Sequence, residues 1–346
     1  MLRANLVSPT HVVLEDVPEP RPGPGEVRLR IETCGVCGSD IHAYYGEHPF
    51  VPLPVQPGHE FAGVIDQLGP GVTGWAVGQR VTAEPSLVCG ECEHCRAGRY
   101  NICERLRVIG CQTDGALAEY LVVPAAKLVP LTEGMSFEQG AFVEPLAVGV
   151  HALRRVALAP TTRLLILGAG TIGLVHLMAA RAWGVTDITV TDTVAAKLDL
   201  ARELGAKHTV DVSQTPLVDF CRETFGTERA FDVAAECVGV GATVRDGILT
   251  LKKGGELLVV GVFSKEVPVN LGLVQDRELK LIGSLMYTMD DFADARDLIA
   301  SGRAPVLKLV TARYPLDKAD AAMRAIDERR ERNIKTMIHI RPQSMS

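Results

Sequence analysis

The 346-residue chain lacks an excess of positive charge, and it lacks any long uninterrupted apolar run. Its formal net charge is −6 at pH 7, which argues against nucleic acid or an anionic membrane as the main partner. The most apolar stretch, residues 164–180, is interrupted by three glycines and a histidine. It is therefore expected to form a buried strand followed by a buried helix, and not a membrane span.

A secretion signal and a disulfide framework are missing as well. Acidic residues appear near the N-terminus before any apolar signal-peptide core. The nine cysteines are odd in number and cluster at metal-ligand spacings, which is typical of a reducing compartment. These observations predict a cytoplasmic protein.

The length exceeds the usual size of one hydrophobic core, so two domains are expected. Up to about Val148, short β-branched runs alternate with Gly, Pro and Asp turns, which favours an irregular barrel or sandwich. Beyond that point strands and helices alternate, as in a doubly wound parallel sheet. The tail after Leu285 contains two amphipathic helices, around residues 291–299 and 317–327. It is too short to fold alone and is expected to return to the N-terminal domain.

A glycine-rich turn follows the first strand of the second region. Residues 168–173 match G-x-G-x-x-G, in which the glycines permit a tight turn, approach of a pyrophosphate and close helix packing. Asp192 ends the next strand and would bind ribose hydroxyls while repelling a 2′-phosphate, so NAD is expected over NADP. The alternative is that the glycines only pack a helix and Asp192 caps the next one. The predicted cofactor-binding residues are Gly168, Gly170, Thr171, Ile172, Gly173, Asp192 and Lys197, although Lys197 also fits a solvated surface lysine.

Four cysteines, Cys89, Cys92, Cys95 and Cys103, follow the pattern C-x2-C-x2-C-x7-C. Four thiolates fill every position of a tetrahedral zinc, which predicts a structural metal site. Ordinary buried cysteines and a DNA-binding zinc ribbon are the alternatives. The acidic charge and the position of the cluster inside a strand-rich domain disfavour the ribbon.

A second set of potential ligands is dispersed and chemically mixed: Cys37, His59, Glu60 and Glu144. A catalytic zinc uses such a set because it keeps one coordination position open. Cys34 and Cys37 could instead form a redox C-x-x-C or half a zinc finger, but no second local pair completes one.

Five segments in order, CGVCGSDIH, PGHEFAGVI, CGECEHCRAGRYNIC, VEPLAVGVHA and LGAGTIG, resemble the zinc-dependent medium-chain alcohol dehydrogenase family over nearly the whole chain. The GHE and EPLAVGVHA segments are similar to its sorbitol (polyol), butanediol and threonine dehydrogenase branch. The resemblance implies an α/β fold: a Rossmann doubly wound NAD-binding domain, residues 147–285, and a mostly β, GroES-like catalytic domain, residues 1–146 plus 286–346, with both zinc sites. It also implies a homotetramer.

The resemblance further implies catalytic roles for Ser39, His42, Glu60 and Glu144. Cys37 and His59 would bind the catalytic zinc, and either Glu60 or Glu144 would complete it. Zinc would acidify the alcohol, hydride would pass to NAD, and Ser39 would relay the proton through the cofactor ribose to His42. Alternatively, Ser39 caps a helix begun by Asp40, and His42 is an exposed helix residue.

Two segments are expected to border the zinc pocket: Tyr44, Tyr45 and Phe50 in one, and Leu285, Met286 and Tyr287 in the other. Met286 stands where the sorbitol enzymes have an Arg that helps hold polyol hydroxyls, which disfavours a long-chain polyol. Leu146-Ala147 replaces the Gly-Asn usual in threonine enzymes. A secondary alcohol of a diol or polyol is therefore the leading substrate prediction, and an L-threonine 3-dehydrogenase-like activity on a β-hydroxy amino acid is second.

Two further hypotheses are disfavoured because the ligands and relay residues occur together. One is a non-zinc quinone or enone reductase, which would lack the zinc ligands. The other is a catalytically silent NAD- and zinc-binding regulatory module.

Overall fold

The computed structural model describes residues 1–328 and 331–341. The chain divides into two compact units. The first unit contains Met1–Glu144, Thr288–Ser301 and the described residues from Val306 onward, and the second contains Pro145–Tyr287 and Gly302–Pro305. Residues 329–330 and 342–346, which belong to the tail assigned above to the catalytic domain, lie outside the described residues.

The strands, in chain order, are β1 (Leu2–Ser8), β2 (His11–Asp16), β3 (Glu26–Val36), β4 (Glu60–Leu68), β5 (Arg80–Ala83), β6 (Ser86–Leu87), β7 (Arg107–Val108), β8 (Tyr120–Pro124), β9 (Leu128–Pro130), β10 (Arg163–Leu167), β11 (Asp187–Asp192), β12 (His208–Asp211), β13 (Phe231–Glu236), β14 (Leu251–Val259), β15 (Lys280–Gly283), β16 (Val310–Pro315) and β17 (Lys335–His339). The helices are α1 (Gly38–Tyr44), α2 (Glu93–Arg96), α3 (Phe137–Ala141), α4 (Val143–Leu153), α5 (Thr171–Ala182), α6 (Ala195–Glu203), α7 (Leu217–Phe225), α8 (Gly241–Thr250), α9 (Leu271–Asp276), α10 (Met289–Ala300) and α11 (Ala319–Glu328).

The first unit is built on a seven-stranded sheet in the order β16-β17-β3-β4-β5-β9, with β8 also paired to β3. Strand β3 alternates buried and partly exposed side chains, so that Val27, Leu29 and Ile31 enter the core. Its antiparallel register with β4 places Gly35 opposite Glu60. The same end of β3 therefore carries the chain into α1 and receives the start of β4.

The second unit is a six-stranded parallel sheet in the order β12-β11-β10-β13-β14-β15. Leu164, Leu165 and Ile166 of β10 are all buried, because helices cover both faces of such a sheet. The strand order reverses between β10 and β13, as in a dinucleotide-binding fold. The predicted doubly wound sheet is confirmed.

Several elements were not predicted from the sequence. They include the N-terminal hairpin of β1 and β2, and β12 and α7 in the second unit. The two tail helices occur as α10 and α11, and the tail also adds β16 and β17 to the seven-stranded sheet. No helix among the described residues is long and apolar enough to cross a membrane.

Candidate metal centre and dinucleotide site

Three of the predicted catalytic zinc ligands converge in the first unit. The ligand atoms of Cys37, His59 and Glu60 all lie within 4.8 Å of one another. The fold explains this convergence, because Cys37 directly follows β3, His59 precedes β4, and Glu60 opens β4 opposite Gly35. His59 and Glu60 are buried, whereas Cys37 is partly exposed. The group is thus a mixed Cys/His/carboxylate donor set with two buried side chains and one partly exposed side chain.

Asp40 supports this group, and sequence analysis missed it. Its Oδ1 lies 3.7 Å from Nδ1 of His59, and its Oδ2 accepts a hydrogen bond of 2.9 Å from the Cys37 N–H. A carboxylate behind the second nitrogen is the usual companion of a metal-binding histidine. It faces Nδ1, so Nε2 is the nitrogen left for a metal. A carboxylate three residues after a ligand cysteine was the signal that could have identified Asp40.

The electrostatics of the group favour a cation. Burial alone would lower the pKa of His59, but the neighbouring charges of Asp40 and Cys37 raise it well above its usual value. Among the described residues, Nδ1 of His59 is buried and has no hydrogen-bond partner at bonding distance. A positive charge is therefore stabilised here, either as a proton or as a metal ion, and these residues fit zinc.

Lys335 is the second residue that sequence analysis missed. Its Nζ donates to Oε1 and Oε2 of Glu60 at 2.6 and 2.7 Å and to the carbonyl of Val36 at 3.1 Å. Both Lys335 and Glu60 are only 2% exposed. The pairing of β17 with β3 brings this lysine to the metal group across 275 residues of sequence. No local sequence motif predicts a contact between residues so far apart in the chain.

Glu144 does not belong to the set of described residues whose ligand atoms all lie within 4.8 Å of one another. It is buried in the first turn of α4. Burial tends to lower the pKa of Lys335, but the charge of Glu60, with contributions from Cys37 and Glu144, raises it. Glu144 is therefore close enough to act electrostatically on the lysine that binds Glu60.

The two predicted relay residues lie on α1. Cys37 is the N-cap of this helix, so the alternative that Ser39 caps a helix begun by Asp40 is wrong. Ser39 and His42 are three residues apart and share a helix face. The His42 side chain is 42% exposed, with Nδ1 3.9 Å from Oε2 of Glu47. The His42 side chain therefore reaches solvent from the helix that Cys37 caps.

The expected pocket residues of the first segment do not all face the metal group. Tyr44 is buried in the core, and its hydroxyl donates to the carbonyl of Thr10 and to Oδ1 of Asp320, both at 3.3 Å. Its predicted place beside the zinc is therefore wrong. Tyr45 packs partly buried against the core, and Phe50 is exposed.

The four clustered cysteines also come together in the first unit. Three of their Sγ–Sγ distances are 3.8 Å (Cys89–Cys95), 4.0 Å (Cys92–Cys103) and 3.5 Å (Cys89–Cys103). A tetrahedral zinc with bonds of about 2.3 Å requires sulfur separations of about 3.8 Å. Backbone N–H groups of Cys92, Cys95 and Arg105 donate to Sγ atoms of the cluster. These four thiols fit a zinc site with no open coordination position, in which backbone N–H groups stabilise the thiolates.

The glycine turn in the second unit has the geometry that a dinucleotide requires. Gly168 has a positive φ of 102°, and a Cβ on Gly173 would lie 1.8 Å from the carbonyl oxygen of Gly168. Side chains are therefore excluded at both positions. A Cβ on Gly170 would meet nothing within 4 Å, so the open space lies at the glycine predicted to admit the pyrophosphate.

Asp192 is held against this turn. Its Oδ2 accepts the Ala169 N–H at 2.8 Å, and its Oδ1 accepts the N–H groups of Thr193 and Val194 at 2.8 and 3.0 Å. The N-cap of α6 is Val194 and not Asp192, so the capping alternative is wrong. The remaining predicted cofactor residues lie nearby in sequence: Thr171 and Ile172 in the first turn of α5, and Lys197, half-buried, on α6.

A strand-rich unit with two thiolate-containing metal groups, followed by a doubly wound unit with a dinucleotide turn, defines a metal-dependent dehydrogenase. Comparison with known families agrees. Residues 23–133 match the alcohol dehydrogenase GroES-like domain, and residues 171–301 match the zinc-binding dehydrogenase domain. The chain belongs to the zinc-dependent medium-chain alcohol dehydrogenase family, as its sequence motifs predicted.

Its relatives include polyol and diol enzymes. Sorbitol dehydrogenase of Homo sapiens is 36% identical over 318 residues, covering 90% of this chain and 88% of the relative. The structure of 2R,3R-butanediol dehydrogenase from Bacillus subtilis has a TM-score of 0.90 at 30% identity, covering 98% of this chain and 99% of that one. A zinc-binding dehydrogenase from Sinorhizobium meliloti 1021, bound to NADP, has a TM-score of 0.90 at 32% identity, with 98% of both chains covered.

Proposed function

We propose that this protein oxidises a secondary hydroxyl of a diol or polyol to the ketone, with zinc and NAD+. The observation that carries the proposal is the buried group of Cys37, His59 and Glu60, backed by Asp40 and Lys335. Relatives that act on sorbitol and butanediol support this substrate class. The catalytic domain in this proposal is residues 1–146 plus 286–346, and the NAD-binding domain is residues 147–285.

Cys37, His59 and a carboxylate would hold a zinc ion, which would supply a Lewis acid that increases the acidity of an alcohol hydroxyl. Asp40 lies beside Nδ1 of His59, which would leave Nε2 to bind the metal. Ser39 accepts the substrate proton, and His42, three residues along the same helix face, releases it to solvent. The exposure of the His42 side chain supports this exit route.

The third protein ligand in this proposal is Glu144. Lys335 binds both oxygens of Glu60, and withdrawing Glu60 would leave a buried ammonium unpaired, which costs several kcal/mol. Glu60 therefore remains with Lys335 and stays close enough to exchange onto the metal or to hold a water molecule. The charge of Glu144 reaches Lys335, which supports its place beside the same centre.

NAD is the proposed cofactor because Asp192 faces the glycine turn. Its carboxylate, fixed by three backbone N–H groups, can accept bonds from ribose hydroxyls and would repel a 2′-phosphate. The relative from Sinorhizobium meliloti binds NADP, so the preference for NAD rests on this residue of the chain itself.

Met286 has a positive φ of 51°, a strained conformation for a side chain of this size. It occupies the place where the sorbitol enzymes have Arg. Loss of that guanidinium supports a short diol or a cyclic polyol over a long-chain polyol.

The test is NADH formation at 340 nm across diols, sugar alcohols, inositols and threonine, with and without a chelator. Turnover of a secondary diol or polyol that stops on chelation is expected, with NAD+ preferred to NADP+. Turnover of threonine alone would replace the substrate assignment. An absence of turnover with every alcohol, despite bound zinc and NAD, would favour a silent binding module.

We also propose a cytoplasmic homotetramer. Strand β15 is an edge of the six-stranded sheet, and Leu281 and Leu285 are 41% and 53% exposed. An exposed edge strand with apolar side chains is a ready surface for pairing with another copy. Light scattering on the purified protein tests the tetramer, and a monomeric mass would contradict it.

A further inference from the structure

Glu236 is a buried carboxylate that neither the metal centre nor the glycine turn explains. It is the last residue of β13 and is 0% exposed. In a doubly wound sheet the dinucleotide lies across the carboxyl edge where the strand order reverses, and β10 and β13 flank that point. Glu236 therefore lies beneath the edge at which the proposed function requires the cofactor.

The side chain of Glu236 orders the segment that follows β13, residues 237–243, which comprises a short loop and the start of α8. Its Oε1 accepts hydrogen bonds from the N–H groups of Val238 and Gly239 at 2.9 and 2.8 Å, and from the Thr243 hydroxyl at 2.7 Å. Oε2 has no hydrogen-bond partner within the described part of the chain. Burial of a carboxylate is energetically unfavourable unless it is hydrogen-bonded. Within the described residues, the side-chain hydrogen bonds of Glu236 are all made to this one segment.

The main chain of Glu236 holds a second loop, residues 260–262, which follows β14. The N–H groups of Val260 and Gly261 both donate to the Glu236 carbonyl at 3.0 Å. A Cβ on Gly261 would lie 2.3 Å from the backbone nitrogen of Gly239 and 2.5 Å from Oε2 of Glu236. The two segments are thus in close backbone contact beside the carboxylate.

These loops adjoin the glycine turn and present an apolar surface. A Cβ on Gly168 would lie 2.5 Å from Cγ2 of Val238, and the Cys237 N–H donates to the Leu167 carbonyl at 3.0 Å. The side chains of Val238 and Val262 are about half exposed although they lie at the edge of a well-packed sheet. Exposed apolar side chains beside convergent polar groups are typical of a ligand site.

We propose that Glu236 is a positioning residue for the dinucleotide. It fixes segment 237–243 beside loop 260–262 in the arrangement that the cofactor needs, without touching the cofactor. This inference rests on the proposed function, since it concerns the affinity for NAD. Removing the carboxylate leaves two N–H groups and one hydroxyl of segment 237–243 without their acceptor. The affinity for the cofactor is therefore expected to fall by more than a general loss of stability of the second unit would explain.

The experiment compares Glu236→Ala, Glu236→Gln and Glu256→Ala by fluorescence titration with NADH and by thermal unfolding. Glu256 is a matched control, because it is a buried glutamate of the neighbouring β14 that accepts bonds from the Ala157 N–H and Lys280. Glu256 lies three residues before Val259, which stands opposite Glu236 in the register of β13 and β14. It is therefore about 10 Å from the carboxyl edge of the sheet.

Glu236→Ala is expected to raise the Kd for NADH about tenfold or more, a loss comparable to one or two hydrogen bonds to a charged group. Glu236→Gln keeps an oxygen that can accept the same three bonds, so its Kd stays within about threefold of the wild-type value. Glu256→Ala lowers the Tm while leaving the Kd unchanged. Zinc content is the same in all four proteins.

Wild-type affinity in Glu236→Ala, or equal losses of affinity in Glu236→Ala and Glu256→Ala, would overturn the positioning role. A wild-type protein that does not bind NADH would instead overturn the proposed function, and this inference with it.

Discussion

Lys335 holds Glu60 in an ion pair beside Cys37 and His59, and in the proposed centre this pair determines whether Glu60 can bind the metal. The two side chains are both buried, and the ammonium contacts both carboxylate oxygens. Such a pair adds little net stability compared with apolar residues, but loss of one partner leaves an uncompensated charge in the interior. Lys335 therefore matters for stability mainly because its removal would leave the buried carboxylate of Glu60 without a counter-ion.

Lys335→Met is expected to lower the free energy of unfolding by about 3–5 kcal/mol, because Glu60 is left buried without its counter-ion. The double variant Lys335→Met with Glu60→Gln should recover part of that loss. Guanidinium unfolding of protein with measured zinc content checks both. Lys253→Met is the control, since Lys253 and its partner Asp276 are both mostly exposed and their ion pair should matter by less than about 1 kcal/mol. An equal loss in the single and double Lys335 variants would contradict the account.

Ser39 tests the proton route at the same scale. Ser39→Ala removes the hydroxyl but no metal ligand, so turnover should fall about 100-fold or more while zinc content stays unchanged. Steady-state kinetics with metal analysis on the same sample measures this. Parallel loss of turnover and zinc would make Ser39 a structural residue.

Residues of this kind mark the limit of prediction from the sequence. The four-cysteine cluster and the glycine turn were predictable because all their parts lie within a few residues of one another. Lys335 was not, because only the pairing of β17 with β3 brings it to Glu60. Tyr44 was placed wrongly because its proximity to Cys37 in sequence does not reveal that its side chain points into the core.

At the scale of secondary structure, short elements are held to the seven-stranded sheet by charged contacts. Glu138 in α3 binds Nε and Nη2 of Arg313 in β16 at 2.7 and 2.9 Å, and Nε2 of His339 in β17 lies 3.1 Å from its Oε1. Burial alone would raise the pKa of Glu138, but the bonds from His339 and Arg313 lower it to about 2. One carboxylate therefore ties the chain ahead of α4 to two strands from the tail.

Glu138→Gln should reduce the free energy of unfolding at pH 7 by about 1–3 kcal/mol, since it removes the charge that accepts these bonds. The pKa in the folded state lies below its ordinary value of 4.5, so the ionised form stabilises the fold above that pH. This contribution is lost as the pH falls from about 4.5 to about 2, where wild type and variant should converge. Urea unfolding across this range measures the difference, and a gap that persists at the lowest pH would contradict the ion-pair explanation.

A zinc ion held by the four cysteines would stabilise the loop around α2. Cys95→Ser should lose one of two zinc ions per chain and lower the Tm by about 5 °C or more, while NADH binding persists. Metal analysis and calorimetry check this. Cys221→Ala, in the core of the second unit, should keep both ions. Retention of two zinc ions by Cys95→Ser would contradict a four-thiolate site.

At the scale of the whole molecule, each unit has a distinct task. The first unit has two groups of residues that could hold a metal, one of four cysteines and one mixed and partly exposed. The second has the glycine turn, Asp192 and the two loops joined at Glu236. The alternation of strands and helices predicted the second unit well. It predicted the first less well, because short strands from distant parts of the chain complete its sheet.

The central claim is that the centre at Cys37 and His59 oxidises a secondary alcohol with NAD+. The most direct measurement is NADH formation by wild type and Cys37→Ser on the best alcohol of the panel, with NADH affinity and zinc content determined for both. Wild type should turn over, whereas Cys37→Ser should keep its NADH affinity and the four-thiolate zinc yet fall below about 1% of the wild-type rate. A Cys37→Ser variant as active as wild type would contradict the claim.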